Sequence, residues 1–191
     1  MKKSLLCVAA VAGLLAASGV QAQWYAGAAG GWTKGDYECR DLASCDRTGT
    51  GYKLYTGYAF GGGFTLEGLY FDWGKASASG AAAGSGVPTM YEEESSGWGL
   101  AGAYIMPIDQ ELNLVFRAGL AYNEGTTTAT LGASRSSDSF SGTYPYIGFG
   151  FGWNVSPNLT FTAEANFSQV KFLDDKRANV GLLSLGARFT F

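Results

Sequence analysis

The last twelve residues, Val180 to Phe191, read VGLLSLGARFTF, and they restrict the chain to a short menu of folds. Gly181, Leu183, Leu185, Ala187, Phe189 and Phe191 share one side of an extended chain, while Leu182, Ser184, Gly186, Arg188 and Thr190 share the other. Side chains repeat every second residue on a strand, so this is a strand with one greasy face. Chain ends fray unless something holds them, so a strand whose final residue is a bare aromatic ring reads as a structural element itself.

The same period recurs upstream. In WYAGAAGGW, Trp24, Ala26, Ala28, Gly30 and Trp32 fall on one face, a tryptophan at each end. Tyr52, Leu54, Thr56, Tyr58 and Phe60 make the second strand, and Gly61, Gly62 and Gly63 turn it back. Phe64, Leu66, Gly68 and Tyr70 oppose Thr65, Glu67 and Leu69 in the third, which loses phase at Phe71, Asp72 and Trp73, the mark of a bulge or a rim. Trp98, Leu100, Tyr104 and Met106 give the fourth; Leu112, Leu114, Phe116, Ala118, Leu120 and Tyr122 give the fifth. Ile147, Phe149, Phe151 and Trp153 stand against Tyr146, Gly148, Gly150 and Gly152 in the sixth, and Leu159, Phe161, Ala163, Ala165 and Phe167 carry the seventh.

The connections alternate. Thr33–Gly49, Lys75–Ser96, Gly125–Ser141 and Lys171–Asn179 are long and polar; Gly61–Gly63, Asp109–Glu111 and Ser156–Asn158 are tight. An even number of antiparallel strands, with short turns at one end and long loops at the other, is the plan of an all-β, eight-stranded, up-and-down transmembrane barrel. A soluble barrel with an apolar pocket would need Lys and Glu along the outer face of every strand. The face opposite the apolar one instead offers Gly, Ala, Ser, Thr and Asn, with lone Lys53, Glu67, Arg117, Glu164 and Arg188, which suits a narrow lumen.

At the N-terminus, Lys2 and Lys3 precede an apolar run from Leu5 to Ala17, with small residues at Val20 and Ala22. The run is too short to cross a bilayer and reads as a signal peptide over residues 1–22, cleaved before Gln23, leaving the barrel at 23–191. Removing Lys2 and Lys3 from 13 basic groups leaves 11 against 16 acidic ones, so nucleic acid is not an expected partner. No later apolar run is long enough for a transmembrane helix, so a membrane-spanning form has to be a barrel.

Cys39 and Cys45 are the cysteines of the exported part, and an even count there favours a disulfide closing a small loop. With no histidine in the chain, two thiols make a poor zinc site, and Ser134, Ser136 and Ser137 near Asp138 lack a base to take their protons. Neither enzyme activity, metal nor cofactor is expected. Alternate glycines in GFGFG, Gly148 to Gly152, leave room inside a barrel and do not form a phosphate loop. The acidic run Glu92 to Glu94 reads as part of a solvated loop.

The residues resemble the eight-stranded transmembrane domain of the outer membrane protein A family. WYAGAAGGW is similar to its first strand, GYAFGGGFTLEG to its first periplasmic hairpin with Glu67, FRAG with Arg117 to its fifth strand, TAEA with Glu164 to its seventh, and LLSLGARF to its eighth. The terminal aromatics Phe189 and Phe191 look like the signal through which the barrel assembly machinery recognises such chains, and Trp24, Trp32, Trp98 and Trp153 like interfacial anchors. The resemblance implies a lumenal network of Glu67, Arg117, Glu164 and Arg177, although the family's lysine on the fourth strand is replaced by Ala103. It also implies the outer membrane of a Gram-negative bacterium, lipid and lipopolysaccharide as surroundings, and a monomer. Because the chain stops at Phe191, without the family's peptidoglycan-binding domain, anchoring to the cell wall is not expected. Two functions fit: a structural and surface-interaction barrel with a plugged lumen, or a narrow channel for ions or very small solutes.

Overall fold

A computed structural model describes residues 23–36, 44–46, 48–81, 88–131, 134–171 and 177–191. Its strands are β1 (Gln23–Gly35), β2 (Ser44–Asp46), β3 (Thr48–Gly61), β4 (Phe64–Ala81), β5 (Pro88–Pro107), β6 (Leu112–Leu131), β7 (Ser134–Ser156), β8 (Leu159–Lys171) and β9 (Arg177–Thr190). Eight of them pair antiparallel in the order β4, β3, β1, β9, β8, β7, β6, β5, and the β4–β5 ladder closes the ring. The short β2 stays outside the ring, pairing Ser44–Asp46 with Ser79–Ser77 at the far end of β4.

Closure leaves no backbone edge in the spanning region, the condition lipid imposes on a sheet. The last ladder is the one between the ends of the chain: Tyr25 opposes Thr190, and the Phe191 amide donates to the Trp24 carbonyl at 2.9 Å. Phe189 and Phe191 lie on the outer surface with their rings 5.3 Å apart.

At the turn end, Gly61, Gly62 and Gly63 all take positive φ, at 97°, 62° and 85°, which explains three glycines in a row. Asp109 Oδ1 accepts from the amides of Glu111 and Leu112, and Ser156 Oγ accepts from that of Leu159. Side-chain oxygens thus hold the other two turns.

The opposite end departs from the sequence reading. Lys75–Ser96 and Gly125–Ser141, expected as loops, are largely strand. β4 and β5 stay paired from Phe64↔Tyr104 to Ala81↔Pro88, and β6 and β7 from Leu112↔Trp153 to Leu131↔Ser134. β5 and β6 also remain paired out to Thr89↔Leu131, so a four-stranded sheet rises beyond the barrel. These segments lack an apolar alternation because neither face meets lipid; the backbone ladder and pairs such as Thr126 Oγ1 with Ser139 Oγ at 2.9 Å hold them. Glu94 pairs with Lys75, and Glu92 lies 3.9 Å from Arg135, so part of the acidic run is neutralised within the sheet. The Glu94 carboxylate raises the Lys75 ammonium pKa above its ordinary value, and burial raises that of the Glu93 carboxyl. The expected signal peptide and Cys39 lie outside the described residues; Cys45 falls on β2.

Which way the faces point decides the solvent. Leu54, Leu66, Leu100, Phe116, Leu120, Phe149, Phe151, Leu183 and Leu185 all face outward and are exposed. An apolar belt that runs around the molecule far exceeds what a protein surface carries in water, whereas lipid accepts it. Aromatic rings border the belt. Trp24, Tyr58 and Phe60 pack edge to face near the turns, with Trp153 on the same side; Tyr52, Tyr70 and Trp98 form a second row toward the long ribbons, where Trp32 also faces out. Trp24 and Trp32 are separated by about 26 Å of extended chain, a length that matches the apolar height of a tilted-strand barrel.

Candidate functional site in the lumen

The residues opposite the lipid-facing ones project into a space that eight strands leave only wide enough for side chains. Small residues there make room for large ones. A side chain at Gly27 would collide with the ring of Tyr55, and one at Gly57 with that of Tyr25, so each tyrosine lies flat over a neighbouring strand's glycine. The expected lumen of small groups is therefore only half the arrangement: Tyr25, Tyr55, Phe71, Trp73 and Tyr146 all lie inside and are buried.

Halfway along the strands lies an ionic layer. The Arg117 Nε donates to Glu67 Oε2 at 2.6 Å, and its Nη2 stands 3.4 Å from Glu164 Oε1. Lys53 Nζ pairs with Glu164 Oε2 and donates to Asn166 Oδ1 at 3.2 Å. The Tyr25 hydroxyl donates to Glu67 Oε1 at 2.7 Å, with Thr65 Oγ1 2.8 Å away. Lys53 and Arg117 also sit over the Tyr55 ring, 4.8 and 5.3 Å from its centroid. Charges this deep are tolerable only when matched and hydrogen-bonded; here three of the four carboxylate oxygens accept from a cation or a hydroxyl, and Glu164 Oε1 faces Arg117 Nη2 without a hydrogen bond.

This layer brings Glu67, Arg117 and Glu164 together as the sequence suggested, but not Arg177. Arg177 is exposed at the start of β9, opposite Lys171, with its guanidinium 5.8 Å from the Tyr144 ring. Ten residues of strand separate it from the level of Arg188, so it belongs to the outer end. Lys53 takes the place assigned to it. The signal was present: Lys53 has lumenal parity on β3, and its register partner Ala29 also faces inward. Arg188 lies inside as well, its guanidinium 5.4 Å from the Tyr25 ring.

Beyond the ionic layer, toward the long ribbons, comes an apolar one. On β4 the lumenal order from the turn end is Thr65, Glu67, Leu69, Phe71, Trp73, all buried. Phe71 stacks on Trp73, centroids 4.7 Å apart and planes 13° from parallel, and meets Tyr146 at 5.0 Å. Leu69, Val170, Ala178, Val180 and Leu182 complete the cluster. Trp73 Nε1 donates to Asn123 Oδ1 at 3.3 Å, and Asn123 Nδ2 donates to Ser168 Oγ and the Gln169 carbonyl. Tyr146 joins the layers, its hydroxyl donating to the same Asn166 Oδ1 that Lys53 uses, at 2.6 Å. The loss of phase seen in the sequence is a register shift between Asp72 and Gly74 that keeps Phe71 and Trp73 on the inner face.

A closed ring with a lipid-facing apolar belt, two aromatic borders and a charged interior defines a transmembrane barrel of the outer-membrane type. The model of the outer membrane protein beta-barrel domain matches residues 4–191, and the chain belongs to that family. Solved structures agree on the fold. Neisserial surface protein A is 20% identical, covering 90% of this chain and 100% of its own, with a TM-score of 0.61. Ail, the attachment invasion locus protein of Yersinia pestis, is 20% identical over 89% of this chain and 97% of its own, TM-score 0.54. The outer membrane protein OprG of Pseudomonas aeruginosa is 11% identical over 89% and 95%, TM-score 0.57. No curated protein matches.

Proposed function

We propose that this chain is a sealed barrel of the outer membrane, with a structural role and a surface-interaction role carried by its outer sheet. The observation that carries the reading is the doubly filled lumen: the Glu67–Arg117–Glu164–Lys53 layer and, in series with it, the Phe71–Trp73–Tyr146 layer. An ion crossing would have to break a buried ion network and then pass a layer offering it almost no oxygen ligands. Catalysis has no place in this reading, and the lumen is a support for the sheet it carries.

The outer sheet supports the interaction role. Among the described residues, β7 pairs with β8 only from Ile147 onward, and Pro145, which has no amide hydrogen, marks the break. From Ser134 to Tyr146 one edge of β7 is paired with β6 and the other has no ladder partner among the described residues. Polar faces and an open edge are what a surface meant for contact offers. Export by residues 1–22, a Cys39–Cys45 disulfide, recognition of Phe189 and Phe191 by the assembly machinery, and contact with lipopolysaccharide along the upper aromatic row belong to the same reading.

The competing reading is a narrow channel for ions or very small solutes, favoured by the polar residues of the turn-side lumen such as Thr160, Thr162, Ser184 and Arg188. Swelling of proteoliposomes in isosmotic glycine or potassium chloride separates the two. Sealed vesicles that do not swell above protein-free controls are expected; swelling that scales with protein content would overturn the proposal.

A further inference from the structure

The buried charged side chains among the described residues are Lys53, Glu67, Arg117, Glu164 and Arg188, three cations against two carboxylates. Both oxygens of Glu67 are used, one by Tyr25 and one by Arg117, and those of Glu164 face Lys53 and Arg117. Arg188 stands four residues along β9 from Ser184, the ladder partner of Glu164, and neither carboxylate pairs with it. The residue is 6% exposed, its Nη2 reaches Thr160 Oγ1 at a long 3.4 Å, and its buried Nη1 has no hydrogen-bond partner.

Another orphaned donor stands in the same part of the lumen. The Tyr55 hydroxyl is buried without a partner, and it stands directly over Gly27, the residue that opposes Arg188 in the β1–β9 ladder. Thr162 Oγ1 and Ser184 Oγ, buried and unpartnered too, lie nearer the ionic layer, where Ser184 opposes Glu164, whose Oε1 makes no hydrogen bond. The guanidinium and the Tyr55 hydroxyl can both donate, and neither carboxylate of the ionic layer pairs with them. An uncompensated cation held away from bulk water is costly, and the excess over the carboxylates is a single positive charge.

We propose that the turn-side lumen holds one small monovalent anion of the halide class, bound by Arg188 Nη1 and the Tyr55 hydroxyl, which the ladders place at one level across Gly27. The anion neutralises the lumen and satisfies donors that no protein atom reaches. The site stands on the lumen geometry alone and does not depend on what the outer sheet contacts.

Crystals of the refolded protein grown in sodium bromide, with anomalous diffraction measured at the bromine edge, test this directly. A bromide peak at hydrogen-bonding distance of Arg188 Nη1 and Tyr55 Oη is expected, absent in Arg188→Gln. Should Arg188→Gln fail to refold, Tyr55→Phe removes one donor without touching the charge, and at least a two-fold lower peak occupancy is expected. Absence of a bromide peak from the native lumen, water alone beside Arg188, or a peak unchanged in both variants would overturn the assignment.

Discussion

Glu164→Gln is expected to lower the unfolding free energy of the barrel in lipid vesicles by about 3–5 kcal/mol, the cost of leaving a buried cation without its counter-charge. The native carboxylate faces Lys53 on one oxygen and Arg117 on the other, so the amide leaves three lumenal cations against Glu67 alone. Removing the cation as well should recover much of the loss. Lys53→Met combined with Glu164→Gln leaves Arg117 paired to Glu67, and a double replacement avoids the unpaired charge that makes the single one so costly. Urea titrations followed by tryptophan fluorescence, run as a double-mutant cycle, check both numbers. A single variant within about 0.5 kcal/mol of native would mean that the layer is solvated and not a buried network.

The second large effect belongs to the apolar layer. Trp73→Ala should cost about 3–5 kcal/mol, the range for deleting a large buried ring from a site that cannot collapse. Neighbouring strands hold the barrel wall at a fixed radius, so the space left beside Phe71 and Tyr146 cannot be closed by a backbone shift. Asn123 Oδ1 also loses its donor. Trp73→Phe keeps most of the packing and loses that hydrogen bond, with an expected cost of about 1 kcal/mol. Equal losses for Ala and Phe in the same urea titration would assign the effect to the hydrogen bond and not to packing.

The two layers differ in how far the sequence disclosed them, and the reason is physical. Strand alternation is local: Leu112 to Tyr122 declares its two faces without reference to any other segment, and the three turns declare themselves through glycine, Asp109 and Ser156. Pairing across a lumen is not local. Lys53 and Glu164 are 111 residues apart, and what brings them to one level is the register of the ladders between β3 and β8, which no periodicity encodes. Arg177 was assigned by charge and resemblance, and three further pairs of strand beyond Val180 carry it away from the network.

The aromatic layer was hidden for a different reason. An apolar residue on these strands predicts a lipid-facing side, so Phe71 and Trp73, which share parity with Glu67, look in the sequence like a break in phase and not like a filled interior. Parity alone would have placed them inside. The outer ribbons are hidden because strands that have left the lipid need no apolar alternation, and Ser, Thr, Ala and Gly look the same in a ladder as in a loop.

Planar-bilayer conductance of the native barrel, Glu164→Gln, Trp73→Ala and the two combined tests whether the lumen is closed twice in series. Silence is expected in the native protein and in Glu164→Gln, where the apolar layer still stands, and in Trp73→Ala, where the ion network does. Steady current is expected only in the double variant. Ohmic steps from the native protein, or from Glu164→Gln alone, would contradict that double closure.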